Sequence, residues 1–263
     1  DIDAICSHGH TIFHQPEQGI TLQIGNLPKI AELFNCRVVC DFRTQDVKLG
    51  GQGAPLVPIG DRLLFGDHDI CLNLGGFSNV SFERDNKRIA FDICPVNSIL
   101  NKLARQMNLA YDDRGRIARM GSVHKDMLND LNGLEFYSIP PPKSLGMEWV
   151  EQHLVPIIQK YDCSIEDKLR TFVEHIATQI AAQLNPLNKR DILVTGGGAY
   201  NQFLLERIKA CNSADIVLPS NDLIDFKEAL IFGFLGVLRL RNESNCLSSV
   251  TGAQKDHSSG LIY

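Results

Sequence analysis

Two glycine-rich stretches decide the fold: Leu72-Asn73-Leu74-Gly75-Gly76-Phe77-Ser78-Asn79 and Val194-Thr195-Gly196-Gly197-Gly198-Ala199-Tyr200-Asn201. In each, a strand-like apolar run ends directly in glycines. Removing side chains from such a turn lets backbone N–H groups converge on an anion such as a phosphate. The second stretch also leads into a helix, whose N-terminal N–H groups and dipole favour anions. Alone, the first stretch is more typical of an ordinary hairpin turn, but the pair indicates a phosphate or nucleotide site.

Short apolar runs around these turns predict strands. They share β-branched and apolar content, and they are residues 37–42, 70–74, 80–82, 89–93, 191–195 and 216–218. The second to fourth are separated by tight turns, which predicts an antiparallel meander. Strands that come first as a meander and later alternate with helices predict an α/β fold with mixed sheets.

Helices are predicted over 97–132 with a charged turn at Asp112-Asp113-Arg114-Gly115, from Ser164 onwards, after the second glycine turn and over 226–240. Asp167 follows Ser164 at the spacing of an N-terminal capping box. The helix over 226–240 is apolar on nearly every face, which predicts a central helix that is buried on all sides.

The composition limits the classes of partner. The chain has 263 residues, 44% hydrophobic and 22% charged, with 26 basic against 31 acidic side chains and a net charge of −5. No basic excess is present to neutralise phosphates along a duplex, which argues against nucleic acid as the main partner. The longest nearly uncharged apolar run, 230–238, is far short of the roughly 20 residues that span a bilayer.

The cysteines predict a reducing environment. There are eight, at positions 6, 36, 40, 71, 94, 163, 211 and 246. They lie mostly within apolar runs and form no C-x-x-C pair, so buried free thiols are expected instead of a zinc knuckle or a redox dithiol.

Asp92 is the strongest candidate for proton transfer. It ends the third strand of the predicted meander, just before a predicted helix. A carboxylate at such a position can act as a general base if its neighbours tune its pKa. The same position fits a helix N-cap, which is a purely structural role, and the spacing does not separate the two.

Three other charged side chains have a functional and a structural interpretation. Arg43 follows a buried strand together with Asp46, and a surface ion pair explains both. Lys143 follows three prolines, where it either touches a substrate or is a solvated loop lysine. Glu228 heads an apolar helix, where a carboxylate either favours the helix dipole or faces a cleft.

The run His8-Gly9-His10-Thr11-Ile12-Phe13-His14 raises the possibility of a metal site. On a helix, His10 and His14 would lie on one face and suit zinc. Gly9, the β-branched residues and Pro16 argue against a helix here, and the glutamate of the H-E-x-x-H motif is absent. A metal-dependent hydrolase is therefore the least favoured of the hypotheses.

Ten ordered blocks of sequence make a family resemblance visible. They are Ser7-His8-Gly9-His10-Thr11, Thr21-Leu22-Gln23-Ile24-Gly25, Asp41-Phe42-Arg43-Thr44-Gln45-Asp46, Gly51-Gln52-Gly53-Ala54-Pro55-Leu56-Val57-Pro58, Leu72-Asn73-Leu74-Gly75-Gly76, Phe91-Asp92, Pro141-Pro142-Lys143-Ser144, Gly196-Gly197-Gly198-Ala199, Glu228-Ala229 and Val250-Thr251-Gly252-Ala253. Together they resemble the anhydro-N-acetylmuramic acid kinases from end to end of the chain.

The resemblance implies a fold and a reaction. The fold is the two-domain, actin-like and sugar-kinase (ribonuclease H-like) ATPase fold, with mixed sheets and a central cleft that encloses ATP. In the reaction, water opens the 1,6-anhydro ring of anhydro-N-acetylmuramic acid, and O6 takes the γ-phosphoryl group of ATP, with Mg²⁺ as the usual companion of the nucleotide. The product is N-acetylmuramic acid 6-phosphate, which belongs to cell-wall recycling.

The resemblance also implies roles for individual residues. Asp92 activates the water. The sugar is bound by His8, Arg43, Lys143 and Glu228. ATP is bound by Gly75, Gly76, Asn79, Gly196, Gly197, Gly198 and Asn201. No resident metal site is expected.

Domain organisation and partners complete the expectations. Residues 1–68 form part of an N-terminal domain, 69–224 form a second, ATP-binding domain, and 225–263 return to the first. The resemblance implies a cytoplasmic homodimer that uses an amino sugar and ATP, without nucleic acid or membrane. The first phosphate loop of the family is expected to precede residue 1.

This chain departs from the family pattern after Asp92. Ile93, Cys94 and Val96 stand where the family usually has threonine and two glycines. The alternative function is therefore a nucleotide-binding or chaperone-like module of the same fold without kinase turnover.

Overall fold

The computed structural model describes residues 2–263, and Asp1, the first residue of the predicted N-terminal domain, lies outside the described residues. The chain forms two compact units. Unit 1 comprises the residues up to Gly66, Phe82–Ile89 and Phe226–Tyr263, and unit 2 comprises Asp67–Ser81 and Ala90–Asp225. The boundaries predicted from the sequence stay a prediction; unit 1 differs from them most by including the segment 82–89.

The strands in chain order are β1 (Ala4–Ser7), β2 (His10–Gln15), β3 (Ile20–Ile24), β4 (Arg37–Cys40), β5 (Ile70–Leu74), β6 (Phe77–Arg84), β7 (Lys87–Pro95), β8 (Asp191–Thr195), β9 (Asp215–Val217) and β10 (Leu261–Ile262). The α-helices are α1 (Lys29–Phe34), α2 (Thr44–Lys48), α3 (Val57–Leu64), α4 (Asn97–Arg105), α5 (Arg116–Met120), α6 (Lys125–Asn132), α7 (Met147–Trp149), α8 (Val155–Lys160), α9 (Ile165–Leu184), α10 (Gln202–Cys211), α11 (Asn221–Leu240) and α12 (Ser248–Thr251).

A five-stranded sheet organises unit 2. Its strand order is β7-β6-β5-β8-β9, and β5 runs parallel to β8 with Asn73 opposite Thr195. The first three strands follow one another through two-residue turns, which only antiparallel neighbours allow. Asp85 and Asn86, between β6 and β7, both have positive φ, as a type I′ hairpin requires. The meander is confirmed.

The order third, second, first, fourth, fifth is that of a ribonuclease H-like sheet. With helices between its later strands, this sheet confirms the predicted α/β fold class with mixed sheets. The central cleft that the fold class implies stays a prediction.

Unit 1 contains two smaller sheets. In one, β4 lies between β1, with which it is parallel, and β10, with which it is antiparallel. In the other, β2 pairs with β3, and the register shifts between Thr11 and Phe13. The buried core of the unit consists of Val39, Phe42, Leu56, Ile59, Ile231, Phe232, Leu235, Leu238, Cys246 and Leu247. It joins β4 to α11 and to the C-terminal segment.

The prediction that the 226–240 helix is buried on all sides is wrong. Helix α11 begins five residues earlier, and its side chains at Phe226, Leu230 and Val237 are 63%, 48% and 48% exposed. Its core side chains recur with helical spacing, so the helix buries one stripe and leaves the opposite apolar side open. Composition alone does not reveal which apolar side finds a partner.

The helical region predicted over 97–132 forms three helices, and the turn predicted at Asp112-Asp113-Arg114-Gly115 lies in the break between the first two. Asn108, Arg114 and Gly115 have φ values of +60°, +58° and +71°, which an α-helix cannot contain. These residues separate α4, α5 and α6. By contrast, α9 begins as predicted, because the Ser164 hydroxyl accepts a hydrogen bond from the N–H of Asp167 at 3.1 Å. The Asp167 side chain does not complete a capping box; it accepts from the N–H of Ser122 instead.

The eight cysteines are free thiols, as predicted. Burial is only partly as expected, since Cys40, Cys71, Cys94 and Cys246 are buried and the others are half-buried. Among residues 2–263, no helix combines the length and the apolar content that crossing a bilayer requires.

Two glycines of α11 make a matched test of the packing in unit 1. A Cβ at Gly236 would lie 2.0 Å from Cys6 Sγ and 3.6 Å from Val39 Cβ, whereas a Cβ at Gly233 would have no such neighbour within 4 Å. We expect Gly236→Ala to lower the free energy of unfolding by about 1–3 kcal/mol through overpacking. Gly233→Ala is expected to raise it by about 0.5–1 kcal/mol, because alanine is the better helix former.

The measurement is chemical denaturation of both variants beside the unmodified chain. Equal stability of the two variants would contradict the close packing of α11 on β1 and β4.

Candidate functional site

The two glycine turns meet in unit 2. Because β5 and β8 are parallel, their carboxyl ends lie at the same edge of the sheet, and each ends in one of the turns. A Cβ at Gly198 would lie 2.6 Å from Leu74 Cβ, and one at Gly196 would lie 2.5 Å from Asn73 Oδ1. Only glycine permits this approach. The second turn therefore lies directly against the last residues of β5.

The first turn uses much of its backbone internally. The N–H of Gly75 donates to the carbonyl of Phe77 at 3.1 Å. The carbonyl of Gly76 accepts from the N–H groups of Val96 and Ser98 at 2.8 and 3.2 Å, which fixes the beginning of α4 to the turn. This turn is thus both a hairpin and an anchor for α4, while Gly76 and the Asn79 side chain are exposed.

The second turn leaves donors open. Residues Gly197–Tyr200 form a single 3₁₀ turn, after which α10 begins. Within residues 2–263, the N–H groups of Gly197 and Gly198 have no hydrogen-bond acceptor. The Asn201 side chain is already used, since it accepts from the N–H of Leu204 at 3.0 Å as the N-cap of α10. Two open N–H groups at the start of a helical segment favour an anion.

Asp92 lies within β7, three residues before its end, and is half-buried. Its Oδ2 accepts from the N–H of Leu145 at 2.9 Å, and its own N–H donates to the carbonyl of Lys143 at 3.1 Å. Burial raises the pKa of the Asp92 carboxyl, and the hydrogen bond from Leu145 opposes this only in part. The N-cap interpretation is wrong, because α4 begins at Asn97 and its N-cap is Val96.

Lys143 is neither free nor fully solvated. Its ammonium donates to the carbonyl of Phe136 at 3.1 Å and lies 4.7 Å from the centre of the Phe136 ring. Burial lowers its pKa. The hydrogen bond between the Asp92 N–H and the Lys143 carbonyl therefore places Lys143 next to Asp92 in unit 2. The other predicted sugar-binding residues are in unit 1.

Unit 1 brings three predicted site residues together. Arg43 donates from one terminal nitrogen to His8 Nε2 at 2.7 Å and from the other to the carbonyl of Gly53 at 2.7 Å. Since a guanidinium only donates, His8 Nε2 is the acceptor. Burial, followed by the charge of Arg43, lowers the pKa of His8, and the nearby Glu228 raises it less. The ring is therefore neutral at pH 7.

Phe232 supports this group, and the sequence analysis missed it. Its ring lies 4.2 Å from the His8 ring and 6.0 Å from the Arg43 guanidinium carbon. Glu228 is exposed and precedes Phe232 by one helical turn. It lies two turns into α11 and not, as predicted, at the start of the helix. Glu228 and Phe232 are four residues apart and so share one helix face, and this spacing was a sequence signal from which Phe232 could have been found.

The surface ion pair between Arg43 and Asp46 is not formed. Asp46 is fully buried, and its Oδ2 accepts from the N–H of Gly53 at 2.6 Å. Arg43 and Asp46 thus hold opposite sides of the same loop. The Nε of Arg43 is buried without a hydrogen-bond partner among the described residues, which leaves one donor for a ligand.

The paired-histidine metal hypothesis is wrong. His10 and His14 lie on strand β2, where four residues span about 13 Å. His14 Nδ1 instead lies 3.0 Å from the Thr21 hydroxyl. The two imidazoles cannot share one ion.

Comparison with known proteins gives a consistent result. A family model described as anhydro-N-acetylmuramic acid kinase matches residues 1–263. The chain is 36% identical over 281 residues to the anhydro-N-acetylmuramic acid kinase of Aliivibrio fischeri, covering 100% of this chain and 76% of that protein. It is 37% identical over 278 residues to that of Pseudomonas syringae pv. syringae, covering 100% and 75%. The chain thus spans about three-quarters of the length of these relatives.

Solved structures are more distant. An activator of 2-hydroxyisocaproyl-CoA dehydratase from Clostridium difficile with bound ADPNP matches with a TM-score of 0.43 and 14% identity, covering 66% of this chain and 61% of that one. A ROK family glucokinase from Streptomyces griseus matches with a TM-score of 0.33 and 14% identity, covering 72% and 65%.

Two substitutions around His8 are expected to shift the pKa of its ring in opposite directions. Removing the guanidinium in Arg43→Gln is expected to raise the pKa of His8, because Arg43 lowers it. Removing the carboxylate in Glu228→Gln is expected to lower that pKa further. Titration of the His8 ring by NMR measures both. Shifts in the same direction, or no shift in either variant, would contradict the arrangement.

Proposed function

This chain belongs to the anhydro-N-acetylmuramic acid kinase family, and from that premise we propose an ATP-dependent reaction with two bond changes. Water adds to the anomeric carbon of 1,6-anhydro-N-acetylmuramic acid, and the bond from that carbon to O6 breaks. O6 then forms a bond to the γ-phosphorus of ATP, which gives N-acetylmuramic acid 6-phosphate and ADP. This is the chemistry of amino-sugar recycling from the cell wall.

The Asp92 carboxylate carries the proposal. Water is a poor nucleophile unless a positioned base takes its proton. Asp92 Oδ2 is held by the N–H of Leu145, while Oδ1 has no hydrogen-bond donor among residues 2–263. A half-buried carboxylate with one oxygen fixed and the other open, and with a raised pKa, has the features of a general base.

The sugar-binding role of His8, Arg43 and Glu228 is supported by their contacts in unit 1. The muramic acid skeleton carries a lactyl carboxylate, and arginine is well suited to bind carboxylates. The unpartnered Arg43 Nε is a donor of this kind. Exposed Glu228 supplies an acceptor for sugar hydroxyls, and neutral His8 fixes the Arg43 guanidinium through its Nε2. For Lys143, which lies beside Asp92 in unit 2, the proposed sugar-binding role rests on the family.

ATP binding at the paired glycine turns is supported mainly by the second turn. The open N–H groups of Gly197 and Gly198 suit phosphate oxygens. Gly196 has the different task of letting this turn approach Asn73. In the first turn, Gly75 and Gly76 anchor α4, and exposed Asn79 is available to the nucleotide. Asn201 contributes by fixing the start of α10.

Magnesium is proposed as the companion of ATP. It prefers oxygen ligands, keeps several waters, and is commonly held by one or two carboxylates plus substrate phosphates. The amide oxygens of Asn73 and Asn97, beside the glycine turns, would fit such sparse ligation. When bound with the nucleotide, the ion supplies charge neutralisation for phosphoryl transfer.

A nucleotide-binding module without turnover is the second candidate. The observation that favours it is the bulk beside Asp92, where Cys94 and Val96 are both fully buried. The Cys94 sulfur lies 3.2 Å from the buried Ser78 hydroxyl, so the segment is closely packed. ATP turnover measured with and without the anhydro-sugar separates the two candidates, because only the kinase requires the sugar.

A cytoplasmic homodimer is also proposed. It rests on the family and on the free thiols, which persist in reducing compartments. The hairpin of β2 and β3 exposes Ile12, Phe13, Leu22 and Ile24, an apolar surface that a second copy of the chain would cover.

Asp92→Asn is the direct test of the general base. Asparagine keeps the shape and can accept the hydrogen bond from Leu145, but it cannot take a proton from water. We expect kcat to fall by about 10²–10⁴-fold, while the dissociation constant of the sugar changes little. Asp85→Asn, at the exposed type I′ turn, is the matched control and should keep full activity. Normal kcat in Asp92→Asn would remove this residue from the mechanism.

The raised pKa of Asp92 predicts the pH dependence. The base works only as a carboxylate, so activity is lost as the pH falls through its pKa. Because burial raises that pKa, the acid limb of the kcat/KM profile should lie above the pH at which an ordinary aspartate titrates, about 3.9. A limb at that ordinary value would show that another group limits the rate.

A further inference from the structure

A second cluster of reactive side chains lies in unit 1, beside the loop at Gly53 that Arg43 and Asp46 both contact. Asp46, Cys246 and His257 are 0%, 1% and 6% exposed. Asp46 belongs to α2, whereas Cys246 and His257 flank α12 in the C-terminal segment, where they form an antiparallel bridge. The three side chains therefore come from parts of the chain that are about 200 residues apart.

Two of the three distances within the cluster are close to the edges of a tetrahedral metal site. Cys246 Sγ lies 3.1 Å and His257 Nε2 lies 3.6 Å from Asp46 Oδ1. All three ligand atoms lie within 4.8 Å of one another. For zinc bonds of about 2.0–2.3 Å, tetrahedral angles place neighbouring ligand atoms about 3.3–3.5 Å apart.

His257 has a bare ring nitrogen that points into the cluster. Its Nδ1 lies 3.0 Å from the carbonyl of Lys255. A carbonyl oxygen only accepts, so Nδ1 carries the proton. In the neutral ring Nε2 therefore has a free lone pair. Nε2 is buried without a hydrogen-bond partner among the described residues. A metal-binding histidine usually donates its other ring N–H to a carbonyl or carboxylate, which fixes the tautomer.

The charges also suit a dication. A thiolate and a carboxylate offset the two charges of zinc in a buried site, where an unbalanced charge is costly. Asp46 is held in place by donors from Thr251 Oγ1 at 2.7 Å and from the N–H of Gly53 at 2.6 Å. His257 also lines an open polar depression together with Lys255 and Ser258.

We propose that Asp46, Cys246 and His257 form a zinc site that fastens the C-terminal segment to α2. In the metal-free chain the Cys246 thiol donates a hydrogen bond to Asp46 Oδ1. On binding, zinc forms bonds to Sγ, Nε2 and Oδ1, and the thiol proton leaves to solvent. No electrons are transferred.

The test is zinc binding by the full chain after removal of bound metal with a chelator. We expect one Zn²⁺ per chain by elemental analysis after dialysis and a higher melting temperature with zinc. Because Cys246 is buried in the metal-free chain as well, its alkylation is compared by peptide mapping at a urea concentration at which the metal-free chain opens, and zinc should slow it there. Excess Mg²⁺ should not compete, because thiolate and imidazole favour zinc. Failure of the unmodified chain to retain zinc would overturn the proposal.

Variants assign the ligands. Cys246→Ser and His257→Ala are each expected to weaken zinc binding by at least about 100-fold, since even a supporting residue typically contributes 10–100-fold. Cys40→Ser, at another buried cysteine of unit 1, should bind zinc normally. If a ligand variant does not fold, the alkylation of Cys246 in the unmodified chain still decides. Zinc that binds without protecting Cys246 would place the ion elsewhere and overturn the proposal.

Discussion

The close approach of the second glycine turn to the end of β5 is the constraint on which unit 2 depends. A side chain at Gly198 or Gly196 would overlap Leu74 or Asn73. Without side chains, β8 can run parallel to β5 with both ends at one edge of the sheet. The same approach leaves backbone donors open at the start of a helical segment, which is where nucleotide phosphates are favoured. Packing and the proposed chemistry thus have the same cause.

Much of this could be predicted from the sequence, because it depends on local patterns. The meander, the glycine turns and the cap at Ser164 are specified by neighbouring residues. Burial of α11 was not predictable in this way, since an all-round apolar helix gives no sign of which side finds a partner. The turn predicted at 112–115 lies in the break between α4 and α5, but the break begins earlier, near Asn108, whose left-handed conformation its identity does not announce.

The candidate site follows the same division. Asp92 and Arg43 were found from the residues, yet their alternatives were excluded only by structure, through the N-cap at Val96 and the burial of Asp46. The contact of Phe232 with His8 joins distant segments, and the only local sign of it is the four-residue spacing of Phe232 from Glu228. The buried cysteine and histidine near Asp46 are of this kind too. Long-range side-chain clusters are therefore where the structure adds most to the sequence.

The most direct test of the central claim is an NMR titration of the glycine-labelled chain with a non-hydrolysable ATP analogue and Mg²⁺. The account predicts that the amide signals of Gly197 and Gly198 shift together along one binding curve, because their N–H groups receive the phosphates. Gly50 and Gly233, which belong to unit 1, should not move. Saturable shifts elsewhere, with Gly197 and Gly198 unchanged, would contradict the account.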